Sequence, residues 1–538
     1  MRFHCSKLFC VLLIGLSACQ SPMDEYGERM IFRYNQSSGI SSLDPVYARV
    51  QGNIWAVHQL FSTLVELDHA LHPVPALARS WEITDSGRTY LFHLRTDVLF
   101  HPSAHLTSRR LTAEDVAFSL ERLRSEQWAS PGTWVMAPVS RIEVKNDSTL
   151  KIELSQRFPP FLSTLSMAYA SVVSKEAVQK LGAAFGEEPV GTGPFQFQRW
   201  LPNEKLVLRK NDAYFLRDQH GVSLPYIDAV SIRFLPDKQA EYLELLRGRI
   251  DMISGLDPSY IHDLVDDQGD LSKRHRAQLV MEKGNYLNTE YLGIFQGPVN
   301  GSPHCLQDRR LRKAFHAAID RPSMLQYLRK GMGNPRVSGL IPQGLSGRYE
   351  SIEKQLYQPD SARKWIRDWQ VENEGQVPAF TLHTPANYRD LCEFIQAQLI
   401  AVGFEVQVEI VPASLLREGM AQGKFQVFRA SWIADYPDAQ NYLSLFVNGN
   451  RSPFGPNYTH FNDPQLDALY LKSLGLTEDS LRSELYRKMD SLTQWQLPLI
   501  PLFYDEALRF HGKEWHGLEP NPLNLLDLRR VHRKEKDA

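Results

Sequence analysis

The chain is poor in cysteine and lacks the common catalytic motifs. Its 538 residues include five cysteines, and no two of them form a C-x-x-C pair. G-x-S-x-G, H-E-x-x-H and Walker-type phosphate loops are also absent. A nucleophile elbow, a zincin site and a P-loop therefore find no support in the sequence. We accordingly predict no catalytic residue and no cofactor.

An excess of charge of one sign is lacking as well, as are long apolar runs. The 60 basic and 62 acidic residues leave a net charge of −2. Such a chain has no bulk field to attract nucleic acid, and no nucleic-acid partner is expected. The only basic run, 529–536, is interpreted as a solvated terminus. No apolar run after Cys19 reaches the roughly 20 residues that a membrane-spanning helix needs.

The N-terminal segment has the layout of a secretory signal peptide. Two basic residues precede a short apolar run over 9–16, and small residues then lead to a cysteine. The sequence LSAC over 16–19 resembles a bacterial lipobox, in which the cysteine is lipidated and becomes the new N-terminus. We therefore predict a signal peptide over 1–18 and a lipid on Cys19 that anchors an extracytoplasmic chain to a membrane. An ordinary signal peptide with an incidental cysteine is the alternative.

The remaining length and patterning indicate a mixed α/β protein of several domains. About 520 residues exceed the size at which a single hydrophobic core stops growing. Alternating apolar residues predict a hairpin over 141–154, and Thr112, Asp308 and Asp463 are predicted N-caps of helices. Strand and helix signals alternate along the chain, which favours α/β lobes.

Three weaker signals have ordinary explanations beside functional ones. Gly191-Thr192-Gly193-Pro194 offers too few glycines for a dinucleotide site, and Pro194 stands where a helix would have to begin. Cys305 and Cys392 either pair in an oxidising compartment or stay as two buried thiols. A group of histidines could ligate a metal, but scattered surface histidines are the default interpretation, and no metal site is predicted. These histidines are His69, His72, His93, His101 and His105.

The densest chemical signal lies over 427–439. An apolar strand carries Arg429 and Trp432 and leads into a loop with Asp435 and Tyr436. A cation and an anion six residues apart could bind the two ends of a zwitterion. A salt bridge at the rim and a tryptophan in the core would explain the same residues without a ligand.

Several stretches then resemble one family, in family order over nearly the whole mature chain. They are SLDP (42–45), PALA (75–78), YLFHLR (90–95), LTAEDV (111–116), GTGPF (191–195), GRID (248–251), 309–321 and ADYPD (434–438). With the lipobox before them, they resemble the family 5 extracytoplasmic solute-binding proteins. Members of that family are receptors of oligopeptide, dipeptide and nickel ABC importers.

The resemblance implies a two-lobed, type II-like periplasmic-binding-protein fold of the α/β class. It also implies an extra subdomain and a ligand buried between the lobes. The domains expected on this basis are a discontinuous lobe I (19–60, 185–285 and 500–538), its extra subdomain (61–184) and lobe II (286–499).

The same resemblance implies roles for the residues over 429–436. Asp435 would bind the α-ammonium of a peptide, Arg429 would bind the carboxylate of short ligands, and Trp432 and Tyr436 would line the site. At two upstream positions where some relatives have basic residues, this chain has Asn387 and Met420. Ser431 stands where glycine is frequent. Peptide length and affinity are therefore open.

The function implied is a monomeric lipoprotein that captures peptides and delivers them to an ABC permease. Its partners would be the peptide, the permease subunits and, through the lipid on Cys19, a membrane. Two alternatives stay open. The same scaffold could bind a nickel chelate, haem or a cell-wall peptide, or the protein could report peptides to a signalling partner.

Overall fold

The computed structural model describes residues 29–104, 106–350 and 357–534, so the predicted signal peptide and Cys19 lie outside the described residues. The strands are β1 Ile31–Asn35, β2 Val65–Leu67, β3 Pro73–Pro75, β4 Ala78–Thr84, β5 Thr89–Leu94, β6 Val139–Asn146, β7 Thr149–Leu154, β8 Phe195–Leu201, β9 Lys205–Lys210, β10 Ala229–Arg233, β11 Met252–Ser254, β12 Leu279–Ile294, β13 Phe380–Thr384, β14 Val406–Ile410, β15 Val427–Ile433, β16 Leu499–Gly512, β17 Trp515–His516 and β18 His532–Arg533.

The helices alternate with these strands along most of the chain. They are α1 Gln51–Leu60, α2 Ala113–Arg124, α3 Phe161–Thr164, α4 Lys175–Leu181, α5 Lys238–Leu246, α6 Ile261–Leu264, α7 Arg309–Ala317, α8 Arg321–Arg329, α9 Pro359–Glu372, α10 Arg389–Val402, α11 Ala413–Ala421, α12 Ala439–Leu443, α13 Pro464–Leu474 and α14 Asp479–Gln496. Among the residues described, no helix combines the length and the apolar character needed to cross a membrane.

Two long antiparallel strands, β12 and β16, join the two halves of the largest sheet. Its ten strands follow the order β14-β13-β15-β12-β16-β11-β1-β10-β9-β8. The last residues of β12, 288–294, pair with β15, whereas the last residues of β16, 509–511, pair with β11. Each of the two strands therefore runs from one half of the molecule into the other.

The hydrophobic core is divided in the same way. One core cluster contains residues from 32–252 together with 515–531, and two others contain residues from 287–503. The segment 515–531 therefore returns to the N-terminal body after β16 has crossed. A separate four-stranded antiparallel sheet, β4-β5-β7-β6, lies within 78–154. The lobe boundaries expected from the sequence stay a prediction.

The local sequence signals agree with the structure where short-range chemistry sets them. The hairpin is confirmed as β6 and β7, and Asp308 and Asp463 accept backbone N–H groups at the starts of α7 and α13. The carboxylate of Asp115 accepts the backbone N–H of Thr112 at 3.1 Å, which confirms the predicted capping arrangement of α2.

The interpretations of exposed residues were wrong at two places. His101 is not a surface histidine, because its ring is buried and its Nε2 lies 2.9 Å from the carbonyl of Gly193. Burial lowers its pKa to about 4. Arg529 is not solvated either, since it is buried and pairs with Asp527 at 2.7 Å and Glu66 at 2.9 Å. In both cases at least one partner, Gly193 for His101 and Glu66 for Arg529, is distant in sequence.

The two cysteines and the histidines show no shared site. Cys305 and Cys392 are both buried and both free, as one of the two alternatives had it. Within 29–104, 106–350 and 357–534, no three His, Cys, Asp or Glu side chains lie together in a way that could hold a metal ion. His105 lies outside the described residues.

The glycines of the GTGP stretch let two backbones approach closely. The Gly193 N–H donates to the carbonyl of Leu60 at 2.9 Å, at the end of α1. A Cβ added at Gly193 would lie 2.4 Å from the carbonyl carbon of Leu60, and one added at Gly191 would lie 2.0 Å from its oxygen. This stretch is therefore a packing motif of the N-terminal body.

Gly193→Ala is expected to destabilise the protein by at least about 2 kcal/mol, because the new methyl group meets backbone that has no room to move. Denaturant unfolding of the purified variant measures this change. Gly449→Ala is the matched control, since a Cβ at Gly449 meets nothing within 4 Å. Equal losses in the two variants would contradict the packing role.

Candidate functional site

The predicted site residues lie on β15 and on the loop that follows it, but not on one face. Phe428 and Ala430 of β15 point into one core cluster, and Trp432 packs against the same cluster. Val427 points into the other core cluster, and Arg429 lies on that opposite face because strand residues alternate. The tryptophan and the arginine are therefore separated by the sheet.

Asp435 follows β15 and has no cationic partner among the residues described. Its Oδ2 accepts the Nδ2–H of Asn441 at 3.3 Å, and the indole N–H of Trp432 donates to the Oδ1 of Asn441 at 2.7 Å. Asn441 is buried in α12 and so orients both predicted residues. Sequence reasoning missed Asn441, although its spacing of six residues from Asp435 offered a signal.

Asp435 is exposed to solvent, yet protein surrounds it densely enough to change its acidity. Desolvation raises the pKa of Asp435 from 3.8 to about 6, against the opposing hydrogen bond from Asn441. A carboxylate that faces a solvent-accessible space enclosed by protein has both properties. Such a group offers a binding position for a cation.

The enclosing surface comes from the other half of the molecule. The ring of Tyr436 is buried and lies 6.0 Å from that of Trp134 and 6.4 Å from that of Phe158, measured between centroids. Burial raises the pKa of Tyr169 to about 12, and the negative charge of Asp435 contributes to that rise. Tyr169 belongs to the N-terminal core and Phe158 packs on it, while Trp134 directly precedes the core residues Val135 and Met136.

Arg429 is held in a buried ion pair. Its guanidinium pairs with Glu290 of β12, and its Cζ lies 3.2 Å from the centroid of the Tyr388 ring. Glu290 is 3% exposed and Arg429 is 9% exposed. Burial raises the pKa of Glu290, and the charge of Arg429 opposes that rise. The arginine is therefore already largely neutralised before any ligand binds.

The ion pair continues across the two crossing strands. The Nδ2 of Asn288 donates to Glu290 at 3.2 Å and to Asp505 of β16 at 3.4 Å, and Asp505 pairs with Arg329 at 2.6 Å. The amide of Asn288 thus bridges two carboxylates, and each carboxylate pairs with its own arginine. Glu290, Asn288 and Asp505 were missed by sequence reasoning, although an acid directly before the apolar stretch 291–294 requires a partner if it is buried.

Comparison with known proteins agrees with this architecture. Residues 72–454, more than half of the chain, match the profile of the bacterial extracellular solute-binding proteins, family 5. The chain belongs to this family. The family resemblance predicted from the sequence is therefore confirmed.

Relatives and solved structures of this family 5 protein cover most of its length. It is 24% identical over 486 residues to the dipeptide-binding protein of Escherichia coli, covering 86% of this chain and 87% of the relative. It is 27% identical over 467 residues to heme-binding protein A of Haemophilus influenzae, covering 82% and 81%.

A solved structure confirms the fold. The periplasmic binding protein DppA from Helicobacter pylori, in complex with the peptide STSA, aligns with a TM-score of 0.79 at 23% identity. The alignment covers 94% of this chain and 99% of that chain. The two-lobed α/β fold of periplasmic binding proteins, predicted from the sequence, is thus shown.

Asp435→Asn is expected to raise the melting temperature of the ligand-free family 5 protein at pH 7 by about 1–3 °C. The folded-state pKa of about 6 lies above the ordinary 3.8, so ionised Asp435 destabilises the fold above pH 6. The difference should vanish below about pH 4, where both side chains are neutral. Thermal unfolding at the two pH values measures it, with the exposed Asp212→Asn as control. An equal gain at both pH values would contradict the electrostatic cause.

Glu290→Gln is expected to cost about 3 kcal/mol in free energy of unfolding, because it leaves Arg429 buried without a counter-charge. The double variant Glu290→Gln/Arg429→Met removes both charges and should recover part of that loss. Chemical denaturation of the wild type, the single variants Glu290→Gln and Arg429→Met, and the double variant measures the coupling. Strictly additive losses would show that the two residues do not act as a pair.

Proposed function

We propose that this family 5 protein is the peptide receptor of an ABC importer and that Asp435 binds the α-ammonium of the peptide. The observation that carries the proposal is the enclosed, solvent-accessible carboxylate without a cationic partner in the described residues. A ligand ammonium would supply the missing charge and would be recognised by charge-assisted hydrogen bonds. The backbone of a peptide can be bound by main-chain hydrogen bonds that do not depend on the identity of its side chains.

The lobes would transmit binding by closing on the ligand. Contacts of Tyr436 with Trp134 and Phe158 join the two halves beside Asp435. A ligand that touches both halves only when these contacts are made favours the closed state by its differential affinity. No bond is made or broken in such a cycle. The relatives named above are binding proteins, which supports a role other than catalysis.

Arg429 is the weaker of the two anchors in this proposal. Glu290 already pairs with it, so a ligand carboxylate would meet a neighbouring negative charge. The Nε of Arg429 has no acceptor in the described part of the chain, but it is buried on the sheet face opposite to Trp432, so a ligand carboxylate would have to reach it past the Glu290 pair. We therefore propose that the ammonium end contributes most of the affinity and the carboxylate end less.

The cellular setting is proposed on the same basis. The family is described as bacterial and extracellular, which supports an extracytoplasmic location. A lipid on Cys19 would hold the receptor at a membrane and raise its effective concentration near the permease. We propose a monomer that delivers its peptide to the permease subunits of the importer.

Binding of a dipeptide is expected to fall at least about a hundredfold when its amine is N-acetylated, because the ammonium that pairs with Asp435 is lost. Converting the carboxylate to an amide should lower the affinity by less, about tenfold or below, because the ligand carboxylate has to share Arg429 with Glu290. Calorimetric titration of refolded, ligand-free protein measures both affinities.

Asp435→Ala should abolish the preference for the free amine, whereas Asp212→Ala should preserve it. Haemin serves as the competing ligand, because one relative is named for haem binding. Equal affinity for the free and acetylated peptides would overturn the role of Asp435. Tight binding of haemin with no binding of peptides would overturn the peptide proposal itself.

A further inference from the structure

A cavity that is open to solvent lies on the C-terminal half of the molecule, away from Asp435. Its volume is about 520 Å³, within the range of small-molecule sites. The lining residues are Phe295, Gln296, Gly297, Pro298, Arg312, Arg451, His460, Phe461, Asn462 and Gln496. Arginines, amides and aromatic rings are present among them, and no carboxylate is.

The paired strands β12 and β15 separate this cavity from the ligand site. Asp435 follows the end of β15 that pairs Ile433 with Asn288, whereas Phe295 follows the other end, where Ile294 pairs with Val427. Six residue steps lie between these two pairs, which corresponds to about 20 Å along the strands. The cavity is therefore not part of the cleft that contains Asp435.

The two arginines of the cavity carry positive charge that no acid in the described residues neutralises by an ion pair. Arg312 of α7 is buried, and its guanidinium donates to the backbone carbonyls of Leu306, Gln307 and Gln496 at 2.8–3.0 Å. Desolvation lowers the pKa of Arg312 to about 10. The charge of Asp308 opposes that shift, but Asp308 pairs with Arg310 at 2.8 Å, so the hydrogen bonds that Arg312 donates within the described residues all go to carbonyl dipoles and its charge favours a nearby anion.

Arg451 adds a donor that has no acceptor. Its Nε is buried and finds no hydrogen-bond partner among the described residues. The nearest acid in sequence, Asp463, instead caps α13 by accepting the backbone N–H groups of Gln465 and Leu466 at 2.9 and 3.1 Å. An oxyanion would satisfy the orphaned donor and offset the two charges together.

The rest of the wall is apolar or neutral. The ring of Phe295 lies 4.8 Å from that of His460, and Phe461 completes an aromatic side. The Nε2 of His460 lies 3.0 Å from the hydroxyl of Ser452, and burial lowers the pKa of the histidine, which favours its neutral form. A ligand with an acidic head and a compact apolar body fits such a wall.

We propose that this cavity binds a small organic anion, with its carboxylate or phosphate at Arg451 near Arg312 and its apolar body against Phe295 and Phe461. The site is independent of the peptide proposal, because none of its residues contributes to the cleft at Asp435. It would give the receptor a second, anion-specific ligand.

The full protein is titrated with 4-fluorobenzoate, and binding is monitored by fluorine NMR. Neutral 4-fluorobenzamide is the matched probe. The benzoate should bind and the amide should bind at least about tenfold more weakly. Arg451→Gln should weaken benzoate binding by a similar factor, while Arg451→Lys retains part of it. Inorganic phosphate should compete, because the arginines recognise the oxyanion.

Two further arms separate this cavity from the peptide cleft. Benzoate binding should persist in Asp435→Ala and at saturating dipeptide, and Arg451→Gln should bind dipeptide as the wild type does. The proposal is overturned if benzoate and amide bind equally, if Arg451→Gln leaves benzoate affinity unchanged, or if dipeptide displaces the benzoate. Loss of dipeptide binding in Asp435→Ala together with intact benzoate binding would support both sites independently.

Discussion

The antiparallel pairing of β12 with β16 is the interaction on which the rest of the structure depends. These two strands pair over most of their lengths and carry the chain between the two halves of the sheet. At one end β12 holds β15, and at the other β16 holds β11. The loop after β15 therefore stands opposite the N-terminal body. A ligand site between the halves is a direct consequence of this connection.

The charged groups along these strands divide into two kinds. Arg429 pairs with Glu290 and Arg329 pairs with Asp505, so these charges balance one another. They stabilise the junction of the two strands and leave little net charge to attract a ligand. Asp435 is different, because within the described residues only the amide of Asn441 meets its carboxylate. Its raised pKa records the cost of keeping a carboxylate without a counter-charge. Binding sites often keep such an unpaired charge at a cost in stability, because the charge must already be in place when the ligand arrives.

Much of the local structure could be predicted from the sequence. The hairpin of β6 and β7 follows from alternation of apolar residues, and the starts of α7 and α13 follow from the capping aspartates. These features depend on neighbours within a few residues. His101 and Arg529 were misjudged because their partners, Gly193, Glu66 and Asp527, include residues that only the folded chain brings near. Residue type alone favours exposure for both.

The sequence by itself determined the family, the mixed α/β character and the segment 429–436 as the place of interest, because motif order and periodicity are properties of the linear chain. Only the tertiary structure decided which of those side chains are already satisfied. Glu290 lies 139 residues from Arg429 in the chain and yet neutralises it, while Asp435 meets no cation in the part of the chain that the structure describes. Pairing of charges depends on distances in space and on burial, and the crossing of β12 and β16 sets both.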